Sequence, residues 1–117
     1  GGRIVSMGTG LTRTTFPPMI IYAAMKSAVE TFTRYLASEL GERQITVNVV
    51  APGGINNDFN AERFNQNPKV KEYLVSHPAL GRIGKSEDIG SIVAFLCSPQ
   101  AGWITGQRIE ATGGFKL

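Results

Sequence analysis

The stretch Ile45-Thr46-Val47-Asn48-Val49-Val50 decides the fold, because nearly every residue in it is apolar or β-branched. A run of this kind is typical of a strand that is buried on both faces, as in a parallel sheet covered by helices. The following residues, Ala51-Pro52-Gly53-Gly54, end the strand sharply, since proline and glycine favour turns. We therefore predict a buried strand over residues 45–50.

Further elements alternate on both sides of this strand. Residues 3–7 are predicted to form a short buried strand, and residues 107–111 a third one. A helix is predicted from about Ile20 to Gly41, where apolar residues recur at three- and four-residue steps, and a second helix begins at Ser86. Strand, helix, strand, helix, strand is the order of α/β proteins with a parallel, doubly wound sheet.

The helical patterns also predict which residues are buried. The apolar face of the first helix comprises Met25, Ala28, Val29, Phe32, Leu36 and Leu40, and Gly41 is its predicted stop. The face of the second comprises Ile89, Ile92, Val93, Leu96 and Cys97, and Ser86 is its predicted cap. Residues 56–68 are predicted to form a mobile loop with a short helical piece, and residues 69–76 another short helix.

Parallel sheets bind their ligands beyond the carboxyl ends of the strands. Thr9, Pro52-Gly53 and Gly113-Gly114 each follow one of the predicted strands at that edge. Tyr22 and Lys26 lie near the start of the helix after the first strand. We therefore expect all of these residues on one rim of the sheet.

Tyr22 and Lys26 are separated by one helical turn, so a helix directs both side chains to the same side. An ammonium group beside a phenol favours the phenolate, which makes the pair suitable for proton transfer. The spacing by itself arises often by chance, and a half-buried aromatic residue beside a solvated lysine is the alternative interpretation. The neighbouring motifs are needed to decide between the two.

The composition argues against several classes of function. The net charge is +3 and the basic residues are scattered singly, whereas nucleic-acid binding needs a concentrated basic face. No apolar run has the length of a membrane span, and no stretch has the pattern of a signal peptide. The single cysteine, Cys97, is predicted to be a buried small residue. No spacing suggests metal ligands, and we expect a cytoplasmic protein.

Four motifs occur in the order and spacing of a known family. They are Tyr22-Ala23-Ala24-Met25-Lys26, Val47-Asn48-Val49-Val50-Ala51-Pro52-Gly53, Gly81-Arg82-Ile83-Gly84 leading into Glu87-Asp88-Ile89, and Ile104-Thr105-Gly106-Gln107 followed by Gly113-Gly114. Over essentially its whole length the chain resembles the C-terminal half of the short-chain dehydrogenases/reductases. The resemblance implies a Rossmann-like fold and hydride transfer between NAD or NADP and a small alcohol or carbonyl substrate.

The resemblance also implies roles for individual residues. Tyr22 would be the general acid/base at the substrate oxygen, and Lys26 would favour its ionised form and hydrogen-bond the nicotinamide ribose. Pro52-Gly53 and Ile55 would contact the nicotinamide amide and so fix the ring face presented to the substrate. Asn57 falls where the family often has Thr contacting the amide and diphosphate region, and it would hydrogen-bond there.

The family's catalytic Ser corresponds to Thr9 when the positions are counted back from Tyr22. Thr carries a hydroxyl that can hold a substrate carbonyl, although its methyl group restricts the rotamer. Ser6 is the competing candidate, and a simple turn residue is the alternative interpretation of Thr9. Thr112 stands where the family commonly has Asp, and we interpret it as structural.

The family's Gly-rich turn for the cofactor diphosphate, its NAD/NADP-selecting residue and an Asn of its catalytic set have no counterpart here. We therefore expect residues 1–117 to be the C-terminal portion of one longer Rossmann-like domain, with a bare strand edge at Ile4-Val5. The resemblance implies a homodimer or homotetramer, and residues 56–76, which we call the lid segment, would cover the substrate. The alternative function is a non-catalytic assembly module that keeps the interface-forming half of the fold.

Overall fold

A computed structural model describes all 117 residues and has a three-stranded parallel sheet at its centre. The strands are β1 (Arg3–Met7), β2 (Thr46–Pro52), β3 (Ile55–Asn56), β4 (Gly84–Lys85) and β5 (Arg108–Ala111). The helices are α1 (Ile20–Leu40), α2 (Asp58–Gln66), α3 (Pro68–Ser76) and α4 (Ser86–Leu96). The central sheet has the order β1-β2-β5, with every pair parallel. The predicted α/β architecture is therefore confirmed, and β1 has the open edge that was expected.

The hydrophobic core joins β2 to α4. Val50, Leu96 and Ala101 are completely buried in one cluster. The predicted apolar face of α4 completes this cluster through Ile89, Ile92 and Val93. Burying one side chain of this size contributes about 1.5–3 kcal/mol, so the cluster ties the helix firmly to the sheet. The prediction for Cys97 is wrong: this residue is exposed, because it follows the last helical residue, where the chain turns away from the sheet.

Helix α1 packs on β2 along a stripe that overlaps the predicted one only in part. Its buried residues are Thr33 and Ala37, whereas Met25 and Phe32 are 65% and 61% exposed. The smaller side chains at positions 33 and 37 allow the helix to approach the strand closely. Val29, Leu36 and Leu40 of the predicted face are half-buried, so the prediction is correct for these three positions.

The end of α1 differs from its prediction. The helix stops at Leu40, but Gly41 keeps a right-handed helical conformation and begins the 3-10 turn Gly41–Arg43. The left-handed residue that usually closes a helix is Gln44, with φ of 56°. Although α1 is the longest helix, neither it nor any other helix combines the length and apolar character needed to cross a membrane.

The start of α4 is capped by a carboxylate and not by Ser86, which is already helical. An oxygen of Asp88 accepts a hydrogen bond from the backbone nitrogen of Lys85 at 2.7 Å. The same carboxylate forms an ion pair with Arg82, also at 2.7 Å. The Arg82 guanidinium and, second, the Lys85 amide hold the pKa of Asp88 well below its usual range. The acidic first turn was predicted from the dipole, but its capping role depends on these contacts.

The lid segment is more regular than predicted. A mobile loop with a short helical piece was expected over residues 56–68, and residues 58–66 form the full helix α2; α3 confirms the second short helix. Asn57 caps α2, because its Oδ1 accepts from the backbone nitrogen of Asn60 at 2.9 Å. A short parallel ladder between β3 and β4, which the sequence did not predict, pairs Ile55 with Gly84. A Cβ at Gly84 would lie 2.6 Å from Cδ1 of Ile55, so a side chain there would displace the end of the Ile55 side chain.

Candidate active site

A cleft of about 430 Å³ opens at the carboxyl ends of the central strands. It lies between these strand ends and the lid segment. Five of the predicted site residues line it: Thr9, Tyr22, Pro52, Gly53 and Ile55. Lys26 and Asn57 do not line the cleft. The fold thus brings together groups that are up to 46 positions apart in the sequence (Thr9 to Ile55), as the parallel topology predicts.

Thr9 is held in a defined orientation directly after β1. It is 7% exposed and precedes the 3-10 turn Gly10–Thr12. Its Oγ1 accepts a hydrogen bond from the backbone nitrogen of Leu11 at 3.3 Å, and its carbonyl oxygen accepts one from Nη2 of Arg108 at 3.2 Å. A hydroxyl has one donor and two acceptor sites, so the hydroxyl proton of Thr9 is left to donate. Ser6, the competing candidate, lies within β1 and does not line the cleft.

Tyr22 and Lys26 lie on the first turns of α1, one turn apart as predicted. Tyr22 is 43% exposed and lines the cleft. Nζ of Lys26 donates to the carbonyl oxygen of Met7 at 3.0 Å and lies 5.8 Å from the centre of the Tyr22 ring. The lysine therefore joins the start of α1 to the end of β1, which holds the tyrosine close to Thr9.

The floor of the cleft is the end of β2, where it meets β5. The backbone nitrogen of Gly53 donates to the carbonyl oxygen of Ala111 at 3.1 Å. A Cβ at Gly53 would lie 3.1 Å from Cβ of Thr112, so glycine allows the two strand ends to approach. Oγ1 of Thr112 accepts from the backbone nitrogen of Phe115 at 3.1 Å and donates to Glu110 at 3.0 Å. These contacts agree with the structural interpretation of Thr112.

Ile55 and Asn57 both form hydrogen bonds with Asn60 of the lid segment. The carbonyl oxygen of Ile55 accepts from Nδ2 of Asn60 at 3.0 Å, and the side-chain oxygen of Asn57 is used to cap α2. Only the amide nitrogen of Asn57 is left for a ligand. The structure thus brings Ile55 to the cleft but gives Asn57 a role in local structure that the resemblance did not include.

An ion-pair network that the sequence did not predict surrounds the Thr9 loop. Arg108 on β5 contacts Glu30 on α1 at 2.6 Å and Glu110 at 3.0 Å. Arg13 contacts Glu110 at 2.8 Å. The hydrogen bond from Arg13, assisted by those from Arg108 and Thr112, lowers the pKa of Glu110 to about 2. The sequence offers one signal for this network: Glu30 lies two helical turns beyond Tyr22, on the same side of α1.

A cluster of rings at the mouth of the cleft was also missed. Tyr73 on α3 lies 5.7 Å from Phe16 and 5.8 Å from Phe115, measured between ring centres. His77 lies at the end of α3, with its ring centre 4.0 Å from that of Tyr73. These residues come from distant segments, so only the folded chain brings them together.

The sequence matches known proteins over almost its whole length. The family model described as enoyl-(acyl carrier protein) reductase matches residues 1–116. The chain is 41% identical to the hydroxynaphthalene reductase-like protein Arp2 of Metarhizium brunneum, over 97% of this chain and 47% of that protein. It is 40% identical to the 3-oxoacyl-(acyl-carrier-protein) reductase FabG of Pseudomonas aeruginosa, over 99% of this chain and 46% of that protein. The chain therefore spans about half the length of the curated relatives it matches.

Solved structures of related proteins are similar to this chain over almost its whole length. The angucycline C-6 ketoreductase LanV with bound NADP superimposes with a TM-score of 0.93 at 41% identity, covering 100% of this chain and 44% of that chain. A 7α-hydroxysteroid dehydrogenase complexed with NADH superimposes with a TM-score of 0.89 at 34% identity, covering 98% of this chain and 44% of that chain. The expected Rossmann-like fold is confirmed by these similarities.

Proposed function

The chain belongs to the short-chain dehydrogenase/reductase family, and from this premise we propose that it forms the catalytic half of an NAD(P)-dependent oxidoreductase. The proposed reaction moves a hydride between a nicotinamide cofactor and an alcohol or carbonyl group, with Tyr22 as the general acid/base. The observation that carries the proposal is the cleft, in which Tyr22 and Thr9 meet beside Pro52-Gly53. Acid–base catalysis requires such a positioned proton donor at the reacting oxygen.

The anchoring of Lys26 supports the role of Tyr22. An ammonium group has three hydrogen-bond donors, and Met7 takes one of them at 3.0 Å. Two donors remain for the phenol oxygen or for a ribose hydroxyl. Lys26 would therefore orient the phenol and the ribose relative to each other.

The hydrogen bonding of Thr9 supports a role in orienting the substrate. Its oxygen already accepts from the backbone of Leu11, and its proton is free to donate to a carbonyl oxygen. Burial of the side chain strengthens such a hydrogen bond, since water competes less for it. Thr9 would hold the substrate carbonyl while Tyr22 donates the proton to the same oxygen.

The residues present fit the nicotinamide end of the cofactor. Pro52, Gly53 and Ile55 line the cleft beside Tyr22, and Gly53 lets the ends of β2 and β5 lie close together beneath it. These residues would hold the nicotinamide along the end of β2, and Lys26 would hold its ribose. When bound, the nicotinamide supplies the hydride for the carbonyl carbon, and Tyr22 supplies the proton for the oxygen.

The diphosphate end of the cofactor has no corresponding cradle within residues 1–117. The loop after β1 leads into a 3-10 turn and not into the N-terminus of a helix. We therefore propose that residues 1–117 are the C-terminal portion of one longer Rossmann-like domain. LanV is described with NADP and the 7α-hydroxysteroid dehydrogenase with NADH, which supports NAD or NADP as the cofactor.

The exposed apolar surface of α1 favours self-association, and we propose a homodimer or homotetramer. Ile20, Ile21 and Phe32 are all largely exposed on this helix. Contiguous apolar surface of this kind marks an interface in soluble proteins. The same observation favours the second candidate function, a non-catalytic assembly module, which differs by requiring no cofactor.

The Tyr22→Phe variant of the full-length protein tests the catalytic proposal. We expect kcat/KM for ketones to fall by about 10²- to 10⁴-fold, because a phenyl ring cannot transfer a proton. The measurement is the loss of NADH or NADPH absorbance with a panel of ketones. Tyr35→Phe is the matched control, since Tyr35 lies on the same helix and outside the cleft. Wild-type rates in Tyr22→Phe would overturn the proposal.

A second pair of variants tests whether Thr9 or Ser6 supplies the hydroxyl that holds the substrate carbonyl. Thr9→Val keeps the shape of the side chain and removes the hydroxyl, so we expect kcat/KM to fall by about 10- to 100-fold. Ser6→Ala should retain normal activity. The reverse result would assign the role to Ser6. A full-length protein that reduces no ketone, binds no cofactor in calorimetry and self-associates would favour the assembly module.

A further inference from the structure

Six of the ten aromatic residues of the chain line the cleft that contains Tyr22. They are Phe16, Tyr22, Phe59, Phe64, Tyr73 and Phe115. They come from the loop after β1, from α1, α2 and α3, and from the C-terminal residues. Aromatic rings bury large apolar areas and prefer tilted or offset contacts with other rings. Their concentration around the proton donor suggests that the cleft recognises a flat apolar ligand.

Three of these rings form a continuous surface, which we call the aromatic wall: Phe16, Tyr73 and Phe115. Tyr73 is the centre, tilted by 46° to Phe16 and by 64° to Phe115. All three residues are only half-buried, and all three line the cleft. Each ring therefore leaves part of its surface available to a ligand, in the arrangement that a further aromatic ring can join.

The remainder of the lining offers little to a charged ligand. Arg63 is the only charged residue among the lining residues, and it is exposed. Leu11, Met19 and Leu74 add further apolar surface. The polar groups near Tyr22 are hydroxyls and backbone, which suit one carbonyl oxygen. The lining thus fits an apolar body with a single polar group, the usual pattern of small-molecule sites.

The size of the cleft favours a compact ligand. Its volume of about 430 Å³ falls at the lower end of the roughly 300–1,000 Å³ range of small-molecule sites, and the proposed nicotinamide shares this space with the substrate. A long flexible acyl chain loses rotational freedom on binding, whereas a fused ring system has little to lose. A rigid ring system of a few fused rings is therefore the ligand that the volume and the rings favour together.

We propose that the cleft takes a ketone carried on a planar aromatic ring system. The aromatic wall contacts the ring system, and the carbonyl oxygen is directed at Tyr22 and Thr9. The inference rests on the proposed function for the position of the carbonyl. The inference extends the proposed function, because it names the substrate class and the three residues that select this substrate.

A matched pair of ketones tests the preference. β-Tetralone and β-decalone share one bicyclic skeleton, and neither carbonyl is conjugated with a ring, so they differ mainly in aromaticity. For the full-length enzyme we expect kcat/KM to be about tenfold higher for β-tetralone. An acetoacetyl thioester of N-acetylcysteamine represents the flexible acyl substrates. Equal rates for the two bicyclic ketones, or a clear preference for the thioester, would overturn the proposal.

Variants then locate the preference on the aromatic wall. Phe115→Leu keeps an apolar side chain and removes the ring, so the tetralone-to-decalone ratio should fall towards one. If Phe115→Leu folds poorly, Phe16→Leu provides the same test, because Phe16 lies in a different segment of the chain. Trp103→Leu is the control, since Trp103 is almost completely exposed and outside the cleft. A ratio that stays unchanged in both wall variants would contradict the assignment.

Calorimetry provides a readout that is independent of turnover. β-Tetralone should bind the Tyr22→Phe protein about tenfold more tightly than β-decalone, with and without oxidised cofactor. If the wild-type protein reduces no ketone, the proposed function fails, while this binding difference still decides the substrate class. Equal affinities would overturn the inference even in an active enzyme.

Discussion

The two walls of the cleft are held in different ways. The sheet wall, formed by Thr9, Tyr22 and Pro52-Gly53, rests on buried strands, on the Lys26 anchor and on the ion pairs of Arg108. The lid wall, formed by α2 and α3, packs mainly against itself and against the short strand β3. The lid wall carries five of the eleven aromatic and aliphatic side chains that line the cleft: Phe59, Phe64, Val70, Tyr73 and Leu74.

In the proposed function the chemistry rests on the sheet wall, whereas selection rests on Tyr73 of the lid wall together with Phe16 and Phe115. Proton transfer requires positions fixed to a fraction of an ångström, and buried strands with an ion-pair network provide that rigidity. Substrate selection tolerates small shifts in side-chain position. Helices α2 and α3 bury few residues, so their side chains can be substituted without disturbing the sheet. We therefore expect stability to depend on the sheet wall much more than on the lid wall.

Leu96→Ala should have the largest effect on stability, although it is far from any ligand. Leu96 is 0% exposed and packs under β2, so its truncation should cost about 2–5 kcal/mol of the free energy of unfolding. Urea denaturation of the full-length protein measures this cost. Phe95→Ala, at the neighbouring and half-exposed position, is the control and should cost less than half as much. A cost for Leu96→Ala within error of this control would contradict the central role of the sheet.

Glu110→Gln should have an intermediate effect that depends on pH. Because the folded-state pKa of Glu110 is lowered from 4.5 to about 2, its ion pairs stabilise the protein above about pH 4.5. This contribution is lost as the pH falls through 4.5 towards about 2. After a discount for solvent screening, we expect Glu110→Gln to cost about 1–2 kcal/mol at neutral pH.

The free energies of unfolding of the wild type and of Glu110→Gln should therefore become equal at acidic pH. Denaturation midpoints measured across this range report the convergence. Glu87→Gln is the control, since Glu87 is exposed and forms no ion pair. A stability difference that stays constant from neutral to acidic pH would show that Glu110 acts by packing and not by charge.

Phe59→Ala should have the smallest effect, although it removes a large side chain from the lid wall. Phe59 is 90% exposed, so the free energy of unfolding should change by less than about 0.5 kcal/mol. Phe64→Ala is the matched change on the same helix, and its buried ring should make it clearly more costly. A large loss of stability from Phe59→Ala would mean that the lid wall is as integrated as the sheet wall.

Much of the sheet wall could be predicted from the sequence. The β-branched run around Val47 and the helical period around Tyr22 are local signals, and parallel topology then brings Thr9, Tyr22 and Pro52 to one rim. The lid wall was predicted in part: α3 and a helical piece were expected, but the extent of α2 and the pairing of its short strand with residues almost thirty positions away were not. The buried stripe of α1 was also predicted only in part, since periodicity alone does not say which apolar residues face the sheet.

The sequence by itself determined the order of the elements, the parallel sheet and the one-turn spacing of Tyr22 and Lys26. Each of these follows from patterns within a few residues, where propensity and periodicity act directly. The tertiary structure alone decided the Lys26 anchor on Met7, the network that joins Arg13, Glu30, Arg108 and Glu110, and the aromatic wall. These contacts join segments up to 97 positions apart, and they depend on how each helix is rotated and where the lid segment packs, which no local pattern specifies.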